Sequence, residues 1–179
     1  MRIDMPARYD RWLKVAANLR VDRKHNIAPH KPLLLLVVAD LAEEGKLTKP
    51  VLTLTGELTF RFLAFWTVVA ERRSQRPDIR LPFYYMHSDG CWLPFDDEGK
   101  PAQERRRAVI ARLDESFLAC LHDAGFRKQL RRALIARYFT DPGERAALYG
   151  LVRLPIPPDD VVKADAKLYE ADQIGRAHV

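Results

Sequence analysis

Pro29-His30-Lys31-Pro32-Leu33-Leu34-Leu35-Leu36-Val37-Val38-Ala39-Asp40-Leu41 decides the fold, because it is apolar nearly all the way round and punctuated as a helix. Proline stands in its first turn and Glu43-Glu44-Gly45 closes it, which is the asymmetry expected of helix ends. A helix apolar on every side must be buried on every side, so this stretch predicts the centre of the core. His30 and Lys31 stand at its N-terminus, where unpaired backbone N–H groups and the positive end of the dipole favour an anion. Two cations there suit a bound phosphate, and they suit equally a solvated first turn.

On the N-terminal side, Tyr9, Trp12, Leu13, Ala16, Ala17 and Leu19 recur at helical spacing and predict an amphipathic helix from Ala7 to Arg20. The polar segment from Val21 to Pro29 is expected as a surface loop that brings Arg23, Lys24 and His25 to one place. On the C-terminal side, Lys46 to Leu54 predicts a strand or an extended connector. Thr55 then caps a helix from Gly56 to about Arg73. Asp114 caps a short helix through Leu121, and Asp123 leads into a helix from Phe126 to Phe139. That last helix is expected to turn Arg127, Lys128, Arg131, Arg132 and Arg137 outward, and Pro142 to Leu151 predicts one more short helix.

Arg80-Leu81-Pro82-Phe83-Tyr84-Tyr85-Met86-His87-Ser88-Asp89-Gly90-Cys91-Trp92 joins two aromatic-rich runs at an Asp-Gly pair. The pair favours a type I′ turn, so the stretch predicts a β-hairpin with Pro82 at the strand entrance, where it need not donate to a ladder. Arg105-Arg106-Arg107 follows, on a helix or a strand. The expected class is α+β and predominantly α-helical: a helical core around a buried central helix, with a small β-hairpin and a winged-helix-like DNA-binding surface. Residues 1–153 are expected as one domain, and residues 154–179 as a linker and tail opened by Leu154-Pro155-Ile156-Pro157-Pro158.

The chain of 179 residues carries 30 Lys and Arg against 24 Asp and Glu, a net charge of +6 that favours a nucleic-acid partner over a merely basic protein. Cys91 and Cys120 lie far apart in no metal-binding arrangement, which predicts buried or half-buried thiols and a cytoplasmic setting. The start, Met1 to Arg11, has no apolar signal region, and the longest apolar run, Leu33 to Ala39, is too short to span a bilayer, so no membrane partner is expected. The histidines His25, His30, His87, His122 and His178 form no catalytic grouping. Asp96, Asp97 and Glu98 read as a solvated turn rather than a metal loop. Pro158-Asp159 with Asp165-Ala166-Lys167 has a nuclease-like spacing but falls in the linker. The chain therefore reads as a binder with no catalytic site and no cofactor of its own.

Ala28-Pro29-His30-Lys31-Pro32, then Leu81-Pro82-Phe83 leading to Ser88-Asp89-Gly90-Cys91-Trp92-Leu93, and Tyr138-Phe139 ending a basic helix, resemble a known family. The likeness, from about Tyr9 to Leu151, is to the DNA sulfur-recognition domain of McrA-like HNH restriction endonucleases. The resemblance implies binding of phosphorothioated double-stranded DNA, with sulfur held in a shallow apolar cavity. It places Pro82 against the sulfur, His30 and Lys31 beside it, Tyr85 on the wall, and an arginine from Arg105 to Arg107 closing the pocket. Leu81 stands where the family often has tyrosine, and Arg23 or Arg80 would read bases. Soft, weakly accepting sulfur suits an apolar, polarizable wall where a hydrogen-bond donor would favour oxygen.

The resemblance also implies a divalent metal only in a nuclease domain beyond this chain. Ile174-Gly175-Arg176-Ala177-His178-Val179 matches the translation of a common sequencing adapter, and the expectation is that the natural protein continues into that domain. The alternative reading is a module resembling a transcription regulator, or a partner-binding module, acting on unmodified DNA or on protein.

Overall fold

The computed structural model describes residues 4–23 and 26–170. Lys24 and His25 of the basic loop, and the tail from residue 171 with its adapter-like end, lie outside the described residues. Along the chain come α1 (Asp4–Ala17), α2 (His30–Glu43), β1 (Val51–Thr53), α3 (Gly56–Val69), α4 (Arg80–Tyr85) and β2 (Trp92–Phe95). Then follow β3 (Ile110–Leu113), α5 (Glu115–Leu121), α6 (Ala124–Tyr138), α7 (Pro142–Leu151) and α8 (Asp159–Lys167). The class is α+β and mainly helical, with one small three-stranded antiparallel sheet among the described residues.

Every residue of α2 from His30 to Ala42 is buried, and α3, α4, α5 and α6 pack around it. Replacing any one of Leu33 to Leu36 by alanine would cost about 2–5 kcal/mol in such surroundings. The helix stops where Gly45 takes a φ of +74°, which lets the Lys46 N–H reach back to the Leu41 carbonyl at 2.9 Å. Side-chain caps start four of the later helices: Thr55 accepts from the Leu58 N–H, Asp114 from Phe117, Asp123 from Phe126 and Asp141 from Glu144.

Asp40 is the one acidic side chain buried in α2, and a buried carboxylate requires a counter-charge. Arg131 supplies it, with Nη2 2.6 Å from Asp40 and Nη1 2.8 Å from Glu43. The expected outward basic face of α6 is corrected accordingly: Arg131 is buried, and Arg132 forks onto Asp165 at 2.8 and 3.0 Å. Arg137 meets Glu170 at 3.3 Å. The segment after the proline-rich stretch lies against the body, since α8 packs along α6 with Val162 buried. Tyr169 Oη donates to Asp10 at 2.7 Å beside it.

The stretch expected as a hairpin is a helix. Ile79, Pro82, Phe83 and Met86 are buried at a spacing of three, four and seven, so a helical stripe outweighs the β-preference of the aromatic rings. Asp78 starts α4 by accepting the Arg80 N–H on its side chain at 3.0 Å. Pro82 falls within the first turn, where no intrahelical donor is lost. A short 3₁₀ turn, Met86–Asp89, continues the helix until Gly90, at φ +84°, ends it as a left-handed cap rather than as half of a type I′ turn.

The antiparallel pairing lies further on. In the sheet order β1-β3-β2, Trp92 pairs with Leu113 and Phe95 with Ile110, and β1 joins the other edge with Val51 opposite Arg112. The connection from β2 to β3 turns at Asp96, whose side chain accepts the Glu98 and Lys100 N–H groups, each at 2.9 Å. It ends in the 3₁₀ turn Arg105–Arg107. Pro94, second from the end of β2, lies on an edge strand as proline requires.

Candidate functional site

The N-terminus of α2 and one flank of α4 meet at an open hollow of about 320 Å³. His30 and Lys31 come from the first helix, Leu81, Pro82 and Tyr85 from the second, and all five line it. Leu81 and Tyr85 are one turn apart on α4, which sets both side chains on the pocket side of Pro82. The remaining wall is Ser88 and the loop residues Arg20, Val21, Asp22 and Ala28. That loop is closed on itself by the Ala28 N–H, which donates to the Asp22 carbonyl at 2.8 Å.

Neither α2 residue presents a bare cation. The His30 ring lies 4.8 Å from the Trp66 ring, and burial lowers its pKa from 6.5, against smaller opposing effects of the Arg76 carbonyl and Asp78. Its Nε2 lies 2.7 Å from the Arg76 carbonyl. A carbonyl only accepts, so Nε2 carries the proton and Nδ1 is bare in the neutral ring. Lys31 is 7% exposed, and its ammonium lies 2.5 Å from Asp89 and 3.2 Å from Ser88 Oγ. The charge that the first turn of α2 needs is therefore supplied by Asp89, from inside the protein.

Asp89 has a second duty. Its other oxygen accepts the backbone N–H of Arg20 at 2.8 Å, tying the loop after α1 to the turn after α4. Ser88 Oγ donates to the Tyr85 carbonyl at 2.9 Å, so the polar groups at the pocket floor are largely satisfied by one another. Sequence reasoning missed Arg20, Ser88 and Asp89. Ser88 and Asp89 meet Lys31, and Arg20 meets Asp89, only through contacts across more than 50 residues of chain, which periodicity cannot show.

The other candidates stand outside the hollow. Arg80 is half-buried, and its Nη1 donates to the Arg106 carbonyl at 3.1 Å and the Ala108 carbonyl at 3.4 Å, clamping the β2–β3 connection to α4. Arg105, Arg106 and Arg107 are exposed and none lines the pocket. Arg106 and Arg107 both reach Glu104 at 3.1 Å, which leaves Arg105 alone of the three without an ion pair among the described residues. Arg23 is exposed on the loop that forms the pocket wall.

At the rim, Tyr85 is 46% exposed and stands edge-on to Tyr84 at 4.9 Å. His87 completes this ring cluster, 5.0 Å from Tyr84 and with Nδ1 2.7 Å from the Tyr84 carbonyl. A larger hollow, about 440 Å³, lies between α6 and Leu154 to Pro158, but its Arg132 is already forked onto Asp165. Both cysteines are buried and free, and burial pushes the Cys120 thiol up to about 11. Among the described residues no group of three His, Cys, Asp or Glu is placed to hold a metal, and no helix is long and apolar enough to cross a membrane. Compared with known proteins, the sequence matches no family model and no curated protein.

Proposed function

We propose that this chain binds phosphorothioate-modified double-stranded DNA, as the recognition domain of a modification-dependent HNH restriction endonuclease. The observation that carries the reading is the pocket itself: two stretches 50 residues apart converge on an apolar hollow walled by Leu81, Pro82 and Tyr85, over a lysine already neutralised by Asp89. A phosphate oxygen entering it would give up hydrogen bonds to water with few donors in return, a loss of about 1–3 kcal/mol per unmet group. Sulfur accepts hydrogen bonds weakly, loses less, and gains dispersion contact with the proline and aromatic rings.

Affinity in this reading comes from cations around the hollow. Arg23 sits on the loop side, and Arg105 on the connection that Arg80 clamps to α4. The β2–β3 connection then acts as the wing of a winged-helix-like surface, lying against the backbone while the pocket takes the modified phosphate. Base edges fall to Arg23 and its loop, since Arg80 is committed to the β2–β3 connection, and phosphate contacts supply most of the binding and its salt dependence.

The test is a titration of one duplex with and without a single Rp phosphorothioate at fixed salt. Tighter binding of the sulfur duplex by about tenfold or more, equivalent to about 1.4 kcal/mol, is expected. Equal affinities would overturn the proposal and favour a module for unmodified DNA.

A further inference from the structure

We infer that Asp89 sets the pocket's preference for sulfur over oxygen, by engaging Lys31 so that the lysine does not serve an incoming phosphate oxygen. The inference rests on the reading of this hollow as a phosphorothioate site. An ammonium in a phosphate pocket is ordinarily the best donor available, and it would hold an oxygen anion through charge-assisted hydrogen bonds. Such a pocket would favour ordinary DNA. Here two of the three donors of the ammonium are committed, to the Asp89 carboxylate at 2.5 Å and to Ser88 Oγ at 3.2 Å.

Burial makes the commitment durable. The Lys31 and Asp89 side chains are 9% and 3% exposed, so water and salt screen the pair little, and pulling Lys31 away would leave a carboxylate buried without its partner. Asp89 cannot easily follow the lysine outward, because its other oxygen is pinned by the Arg20 N–H at 2.8 Å. The charges facing the hollow also balance: Arg20 and Asp22 at the rim, Lys31 at the floor and Asp89 behind it. Net attraction for phosphate is thereby displaced to arginines outside the pocket, where it is blind to the modification. Discrimination is left to the apolar wall.

Asp89→Asn is the informative change, because the amide oxygen can still accept the Arg20 N–H while the negative charge is lost. In the variant Lys31 is released as a phosphate donor. Affinity for the unmodified duplex should rise about tenfold, as expected for one charge-assisted hydrogen bond, and the sulfur-to-oxygen ratio should shrink by the same factor. The salt dependence for the unmodified duplex should steepen by about one counterion.

If the wild type prefers sulfur and the variant keeps the same ratio, the inference falls and the reading of the pocket stands. If the wild type shows no preference, the reading falls and takes the inference with it. The variant exposes the protein to a buried unpaired cation, so a second measurement uses the wild type. In isotope-labelled protein, the scalar coupling through the hydrogen bond between Lys31 Nζ and Asp89 Cγ should persist when the sulfur duplex is bound. Its disappearance on binding, with Lys31 transferred to the DNA, would overturn the inference.

Discussion

Trp92 donates its indole N–H to the backbone carbonyl of Phe83 at 2.8 Å, fastening the first residue of β2 to the helix that carries Pro82. Trp92→Phe keeps an aromatic ring in the core but leaves that buried carbonyl without this donor. Urea unfolding should show a loss of about 1–3 kcal/mol. An unchanged midpoint would mean that the bond contributes nothing to holding α4 on the sheet.

Pro82→Ala removes the ring from the pocket wall and leaves the surrounding arginines in place. Affinity for the phosphorothioated duplex should fall about threefold, since buried Pro82 offers the ligand only an edge, and roughly 25 Å² of apolar contact is worth about 0.6 kcal/mol. Affinity for the unmodified duplex should fall much less. Parallel losses on the two duplexes, measured by fluorescence anisotropy, would remove the ring from any role in selecting sulfur.

Arg105→Ala addresses a cation beyond the hollow. The change should weaken binding to both duplexes by a similar factor and flatten the plot of log affinity against log salt by about one unit. A variant that changed only the sulfur-dependent part would move that arginine from the backbone-contacting surface into the pocket.

His30 makes the stability of the fold pH-sensitive. Burial depresses its pKa below 6.5, so the unfolded chain binds a proton more readily than the folded one. The stabilisation is fully present above pH 6.5 and is lost as the pH falls through that value toward the folded pKa. Glu43 adds a separate acid limb: the Arg131 and Arg153 guanidiniums hold it down to about 2 from 4.5, so its stabilisation is lost as pH falls between those values. Thermal melts from pH 7.5 to 5 should show declining stability in the wild type and a flatter profile in His30→Phe. Equal slopes would assign the decline to other groups.

Much of the helical frame can be read from residue spacing. Thr55 and Asp114 cap where their side chains and the following apolar periods say they should, and the all-round apolar α2 is buried as such a helix must be. The stretch from Arg80 to Asp89 misled because proline, adjacent tyrosines and Asp-Gly are each local strand or turn markers. The stripe Ile79, Pro82, Phe83 and Met86 was the stronger message, because it records which side of the segment meets the core.

The gathering of His30, Lys31, Leu81, Pro82 and Tyr85 follows the residues singled out from the sequence. What the sequence hides is how the charges are spent. Lys31 looks like a phosphate ligand until Asp89 is found beside it, and Arg131 looks solvated until Asp40 is seen to need it. Such pairings depend on chain segments docking from afar, and no local pattern encodes them.

Asp89 joins Lys31, 58 residues earlier in the chain, and Arg20, 69 residues earlier. Bringing residues that far apart together costs more chain entropy than a helical turn, and a six-residue α4 is not stable alone, so the carboxylate meets its partners only when α1, α2 and α4 dock. The pocket floor is thus a product of docking and of no single helix. A nascent or misassembled chain would carry the arginines without the neutralised floor, and only the finished tertiary structure would possess the discrimination proposed for it.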